Sequence, residues 1–275
     1  MSLKKRLPTA FFLIIIVYLG IKFLPLFGFF LLLQIVILLS LYEFYKLISK
    51  KEVFPQFIIG FLFALFVAFY FYYGKLDFKI IIFLFLLSLS IYYLIWVRSE
   101  KELNVFPSSF ALTFLSVFYI SFTLNYLFYI QKKSPSLVLF LLTVVYLGDT
   151  GAYMFGKLWG KRKMVPIASP NKTWEGAMGG IIFAILGAII GHLLFLKEIS
   201  ISKAILSSVF ISIIAQLSDP VESLFKRVVK VKDSSNILPG HGGILDRIDS
   251  LIPVSYTHLR AHETRHDLVC RLLLE

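Results

Sequence analysis

The polar residues of this chain gather in a few dense clusters, and between them run long stretches of Phe, Leu, Ile and Val. Apolar runs cover roughly residues 8–24, 26–45, 53–73, 78–97, 106–130, 136–156, 173–196 and 202–225. Each comes close to the ~20 residues that a helix needs to cross a ~30 Å hydrocarbon core. None has the period-2 alternation of a membrane barrel. The pattern predicts an all-α fold, a polytopic transmembrane helical bundle with eight spans; the turn between the first two is inferred from Lys22 and Pro25. The first run lacks a small-residue cleavage pattern before the second, so it is expected to be a retained span and not a signal peptide. A ninth helix is expected to open near Asp249 and to be truncated. Residues 1–135 read as N-terminal transmembrane helices, and 136–253 as a catalytic transmembrane region with two cytoplasmic loops.

Composition strengthens the membrane reading. Of 275 residues, 58% are hydrophobic and 16% charged, against roughly 25% charged in an average soluble protein; mean hydropathy is +0.83. With the N-terminus in the cytoplasm, the inner segments collect Lys4, Lys5 and Arg6; Lys46, Lys50 and Lys51; Arg98 and Lys101; Lys157, Lys161, Arg162, Lys163 and Lys172; and Lys226, Arg227, Lys230, Lys232 and Arg247. The outer loops hold only Lys22, Lys75, Lys79, Lys132, Lys133, Lys197 and Lys203. The positive-inside rule therefore predicts a cytoplasmic N-terminus and places both basic loops on the cytoplasmic face of the inner membrane. A net charge of +12 would also suit a nucleic-acid partner. Here the basic residues flank spans, which fits anionic lipid headgroups instead, so membrane lipids are expected partners and nucleic acid is not.

Residues 254–275, VSYTHLRAHETRHDLVCRLLLE, cannot span a bilayer and contain the chain's only cysteine. They resemble read-through of cloning-vector sequence and read as a non-native tail. His258, His262 and His266 fall at i, i+4 and i+8 there and imitate a metal site. Without the tail no cysteine remains, which removes disulfide and thiol chemistry.

Ionisable groups inside spans are expensive and point to function. Asp149 lies about 13 residues into the sixth run, which at ~1.5 Å per residue places it about 10 Å short of the cytoplasmic edge. Asp219 has a comparable depth in the eighth run, and Glu175 stands just inside the start of the seventh. In QLSDPVESLFKR, Asp219, Glu222, Ser223 and Lys226 fall on one helical face. Pro220, which has no N–H, is expected to break or kink this span and free carbonyls beside Asp219. Asp246 and Asp249 again share a face, so Asp219, Asp246 and Asp249 are expected to converge. Clustered carboxylates repel unless a cation lies among them, and an all-oxygen set suits Mg²⁺.

The surrounding residues fit phosphate. His241, Gly242 and Gly243 offer backbone N–H groups without side-chain bulk, and Lys226, Arg227, Lys232 and Arg247 supply positive charge. The loop before the seventh run repeats the theme with Arg162, Ser169 and Lys172 ahead of a helix N-terminus. GKLWGK is one residue short of a Walker A spacing and lacks its Ser/Thr. Gly176, Gly180, Gly187 and Gly191 have small-xxx-small spacing, expected to let helices pack closely, and a homodimer through this face is compatible with it. His192 reads as a packing residue.

SLFKRVVKVKDSSNILPGHGGILDRIDS, residues 223–250, resembles the signature of the phosphatidate cytidylyltransferases, the CDP-diacylglycerol synthases. DTGAYMFGKLWGKRK and SPNKTWEG, from Asp149, resemble that family's second shared block. Ser218 departs from the family pattern, which has glycine before the aspartate. The resemblance implies transfer of CMP from CTP to phosphatidic acid, giving CDP-diacylglycerol and pyrophosphate. It further implies Asp219, Asp246 and Asp249 as metal ligands with Asp149 beside them, and Mg²⁺ or a similar divalent cation, a second cation being left open. Lys172 and Lys226 join the catalytic set. Arg162, Ser169, Ser223, Arg227, Lys232, Asp233, His241, Gly242, Gly243 and Arg247 form the substrate-binding set. The competing readings are a CTP-dependent polyprenol kinase and a cation-coupled transporter, which also carries carboxylates and broken helices in its spans.

Overall fold

The computed structural model describes residues 15–197, 199–235, 237 and 242–256. Helix α1 (Leu26–Ile48) starts directly after Pro25. Helix α2 (Phe57–Tyr73) stops at Gly74, whose φ of 66° ends the turn. Asp77 caps α3 (Phe78–Trp96) by accepting from the Lys79 N–H, and Ser99 with Glu102 forms a capping box at the start of α4 (Glu100–Ser116). A π-helical turn, Val117–Phe122, carries α4 into α5 (Thr123–Lys133). Pro135 opens α6 (Pro135–Trp159), where a missing N–H costs nothing.

Next comes an antiparallel hairpin, β1 (Lys163–Val165) with β2 (Ser169–Thr173), in register Lys163 to Thr173. Thr173 ends the hairpin and caps α7 (Trp174–Phe195) through the Gly176 N–H. Helix α8 (Ile201–Val228) and the short α9 (Leu245–Ile248) follow. Residues 15–23 and 251–256 are also helical.

Among the described residues, six helices are long and apolar enough to cross a membrane: Leu26–Lys51, Phe78–Trp96, Glu100–Lys133, Pro135–Trp159, Trp174–Phe195 and Ile201–Val228. Phe57–Tyr73 is apolar but shorter. The molecule is thus a helical, multi-pass membrane protein. The expected apolar runs from residue 26 onward fall on these seven helices, six of them of spanning length, while residues 8–14 of the first run lie outside the described residues. The all-α expectation fits, with one two-stranded exception among the described residues, the β-hairpin that forms the loop before α7. Of the break or kink expected at Pro220, the break does not occur: helix α8 runs continuously through it.

The chain divides into two compact units. One comprises residues 25–128 and 225–248 of the described chain and is cored by aromatic rings. Phe85 stacks on Phe63 and Phe114, and the buried Tyr45 hydroxyl pairs with Ser116 Oγ at 2.8 Å. The other comprises residues 15–24, 129–224 and 249–256. There α6 and α7 pack along their length at backbone distance. A Cβ on Gly151 would overlap Phe183, one on Gly179 would overlap Phe155, and one on Gly176 would lie 2.8 Å from the Ala152 carbonyl. The small-residue face of α7 is therefore used within the chain.

Candidate active site

Within the second unit, four elements bring polar side chains together. Asp149 comes from α6, Lys172 from β2, Gln216 to Ser223 from α8, and Asp249 with Ser250 from the turn after α9. The Lys172 ammonium lies 2.8 Å from Asp219 Oδ2 and donates to the Gln216 carbonyl at 3.2 Å. Pro220 explains that second bond. In a helix the carbonyl of residue 216 is the partner of the N–H of residue 220, and proline has none. The helix is not broken as expected, but the predicted free carbonyl is there, and a lysine occupies it. Gln216 is oriented in turn by Nε2 bonds to the Ala177 carbonyl and Ser212 Oγ. Ser223 donates to Asp219 Oδ1 at 3.3 Å.

Asp149 and Asp249 meet at one hydroxyl: Ser250 Oγ lies 3.2 Å from Asp149 Oδ2 and 3.3 Å from Asp249 Oδ1. The Ser250 N–H also donates to Asp249 Oδ1 at 2.7 Å. Ser218, where the family pattern has glycine, is buried and gives its hydroxyl to the Asp249 carbonyl, fastening α8 to this turn. Two carboxylates within reach of one hydroxyl form an oxygen-only donor pair, and Mg²⁺ is commonly held by one or two carboxylates plus waters and substrate phosphates. The residues thus fit a hard divalent cation by their chemistry. Among the described residues no group of three His, Cys, Asp and Glu side chains is placed to hold an ion directly.

Asp246 belongs to the other unit and has a different environment. Its Oδ1 pairs with Lys226 Nζ at 2.8 Å, both side chains being nearly buried at 6% and 9% exposure. Its Oδ2 accepts from the Ser234 N–H, the Ser234 hydroxyl and the Gly243 N–H at 2.9, 3.0 and 2.8 Å. Burial would raise its carboxyl, but the Lys226 ammonium and these N–H groups outweigh burial and hold it below the ordinary carboxylate range. Gly242 adopts φ 82°. A Cβ on Gly243 would collide with Ser234 and Glu43, so this turn requires glycine at both positions. The Gly243 N–H, expected to face a ligand anion, faces the Asp246 carboxylate instead.

The remaining predicted residues are distributed plainly. Arg162, Arg227, Lys232, Asp233 and Arg247 are exposed, and Ser169 is half-buried. Glu175, expected beside Asp149 and Asp219, accepts from the Lys161 and Arg162 N–H groups and closes the base of the hairpin. His241, His258, His262 and His266 lie outside the described residues. Sequence reasoning missed Gln216, Ser234, Ser235, Ser250 and, most clearly, Glu43. A carboxylate inside the second apolar run satisfied the rule that singled out Asp149 and Asp219, and that rule was sufficient to find it.

The fold defines a helical, multi-pass membrane protein with carboxylates and a lysine gathered in its second unit. Comparison with known proteins gives the particular family. The cytidylyltransferase family model matches residues 4–261, and the chain belongs to that family. It is 42% identical over 156 residues to a phosphatidate cytidylyltransferase of Staphylococcus epidermidis, which covers 57% of this chain and 59% of the relative. It is 40% identical over 156 residues to the Staphylococcus saprophyticus protein of the same name, with the same coverage. The Staphylococcus aureus protein of that name is 41% identical over 160 residues. The chain thus spans a little under three-fifths of the length of these curated relatives.

Proposed function

We propose that the chain transfers CMP from CTP to phosphatidic acid in a cytoplasmic membrane, with its polar loops on the cytoplasmic side. The observation that carries this reading is the gathering of Asp149, Lys172, Asp219 and Asp249 in one unit of a chain that belongs to the cytidylyltransferase family. An oxygen of the lipid phosphate bonds to the α-phosphorus of CTP, and the bond from that phosphorus to the bridging oxygen of the β-phosphate breaks. Pyrophosphate leaves with the electron pair, and CDP-diacylglycerol remains in the bilayer. No protein nucleophile is required.

Asp149 and Asp249 are the residues that would hold a divalent cation, with Asp219 adjoining them through Lys172. When bound, such a cation neutralises triphosphate charge and aligns the reacting groups. Lys172 holds positive charge where phosphate oxygens must settle, because the Gln216 carbonyl and Asp219 fix its ammonium. Asp246 is assigned a supporting role, since Lys226, Ser234 and Gly243 already surround its carboxylate.

The test supplies labelled CTP and phosphatidic acid to the purified protein in detergent and identifies both products. Pyrophosphate with CDP-diacylglycerol is expected. Release of CDP with a phosphorylated lipid would replace this reading with a kinase, and absence of any CTP turnover would leave transport. The orientation is tested separately by labelling an Ile167→Cys variant that also carries Cys270→Ser in vesicles of known sidedness. Ile167, at the exposed hairpin turn, should react only from the cytoplasmic side.

A further inference from the structure

Glu43 has no part in the chemistry just described, yet it is one of the most completely buried charged residues of the chain, at 1% exposure in an apolar helix. Burying a carboxylate is costly unless its oxygens are well satisfied. Four donors converge on it, close to the acceptor capacity of a carboxylate. Ser235 Oγ and the Ile244 N–H reach Oε1 at 2.6 and 3.0 Å, and the Leu245 N–H and Ser234 Oγ reach Oε2 at 2.8 and 3.2 Å. All four are neutral, and all four come from residues 234–245, about two hundred positions along the chain.

An apolar residue at 43 would leave the Ile244 and Leu245 N–H groups and two hydroxyls without these acceptors, although the helix itself would pack no worse. The carboxylate is explained by the loop, not by the helix. The loop is also gripped at the adjoining Asp246, through Ser234, Gly243 and Lys226, and Ser234 Oγ lies within bonding distance of both carboxylates. Gly243 is wedged between them, with no room for a Cβ. Glu43 thus connects a helix outside both motif blocks to the glycine turn that leads into Arg247 and Asp249.

We propose that Glu43 is a positioning residue for CMP transfer, holding Ser234 and Ser235 and the turn at 242–245 in their working arrangement; this rests on the functional reading above. In Glu43→Gln an amide NH₂ would face donors where an oxygen now accepts. In protein normalised to its folded fraction, kcat for CMP transfer should fall at least tenfold with KM for phosphatidic acid unchanged. Glu43→Asp, which keeps two acceptor oxygens, should recover part of the loss. Amide hydrogen exchange over 242–248 should rise in Glu43→Gln while the peptides of the second unit keep their protection.

Ser235→Ala removes one donor without touching the carboxylate and should lower kcat about threefold; it decides the matter if Glu43→Gln does not fold. Wild-type kcat in folded Glu43→Gln, or in Ser235→Ala when the first variant is lost, overturns the proposal. Equal activity loss in Glu43→Asp and Glu43→Gln overturns it too. If the wild-type protein itself transfers no CMP, the functional reading has failed, and the exchange experiment then judges the hold of Glu43 on the loop by itself.

Discussion

Carboxylates serve two different purposes in the two units of this protein. In the unit containing α1 and the glycine turn, Glu43 and Asp246 each have four donor groups within bonding distance, the Ser234 hydroxyl being shared between them and Lys226 of α8 joining the loop donors at Asp246. In the other unit, among the described residues, Asp149 receives one, from Ser250, Asp219 two, from Lys172 and Ser223, and Asp249 Oδ1 accepts from the Ser250 N–H and hydroxyl, leaving Asp149 and Asp219 less saturated than Glu43 and Asp246. The chemical group is the same and the degree of saturation differs. A saturated carboxylate has little capacity left for a ligand and acts as a fastener, whereas a carboxylate with open lone pairs can still take a cation or order a phosphate. Saturation, more than spacing in a motif, therefore separates the residues expected to act on substrate from those expected to hold the loop.

The contrast can be broken experimentally, and the largest effect should come from the fastener. Asp246→Asn removes the carboxylate charge that sits 2.8 Å from the buried Lys226 ammonium, and removing one member of a buried pair costs about 3–5 kcal/mol. The expected outcome is a marked drop in the unfolding midpoint in detergent. A variant that keeps wild-type stability and loses only turnover would move Asp246 into the acting group. Asp249→Asn, by contrast, should lower CMP transfer by about a hundredfold or more, the scale of losing one electrostatic contact to the reacting charges, with the unfolding midpoint nearly unchanged. Chelation of divalent cations should reproduce that loss in the wild-type protein, and added Mg²⁺ should reverse it.

A smaller effect tests the lysine holder. Pro220→Ala returns an N–H to the Gln216 carbonyl, which then competes with Lys172. Helix α8 should gain stability while turnover falls severalfold; unchanged kinetics would show that the carbonyl does not position Lys172. The smallest effect is in pH. The Asp246 carboxyl is depressed in the folded protein, so its stabilising contribution is fully present above its ordinary value of about 3.9. It is lost only as pH falls through the lower folded value. Exchange protection factors over 242–248 should therefore stay level from neutral pH to about pH 5 and decline only in stronger acid.

Much of this architecture is legible in the chain itself. Transfer of apolar side chains out of water is a property of composition along a window, so the run from Leu26 onward resolves into helices close to the expected bounds. Caps such as Asp77, Ser99 with Glu102, and Ser134 ahead of Pro135 are equally local. The hairpin before α7 was not legible, because KMVPIASPNKT has no alternating apolar face and is held at its base by Glu175.

Within the candidate site, sequence alone determined the residue types: carboxylates, a lysine, serines and glycines too polar for the spans that carry them, and a proline whose missing N–H had to free a carbonyl. Only the tertiary structure decided the partners. It gave that carbonyl to Lys172, Asp246 to Lys226, the Asp149 and Asp249 carboxylates to one serine, and Glu43 to a loop about two hundred residues away. The reason is physical: burial and helix period are set by neighbours in the chain, whereas a hydrogen bond depends on ångström-scale distances that packing alone creates.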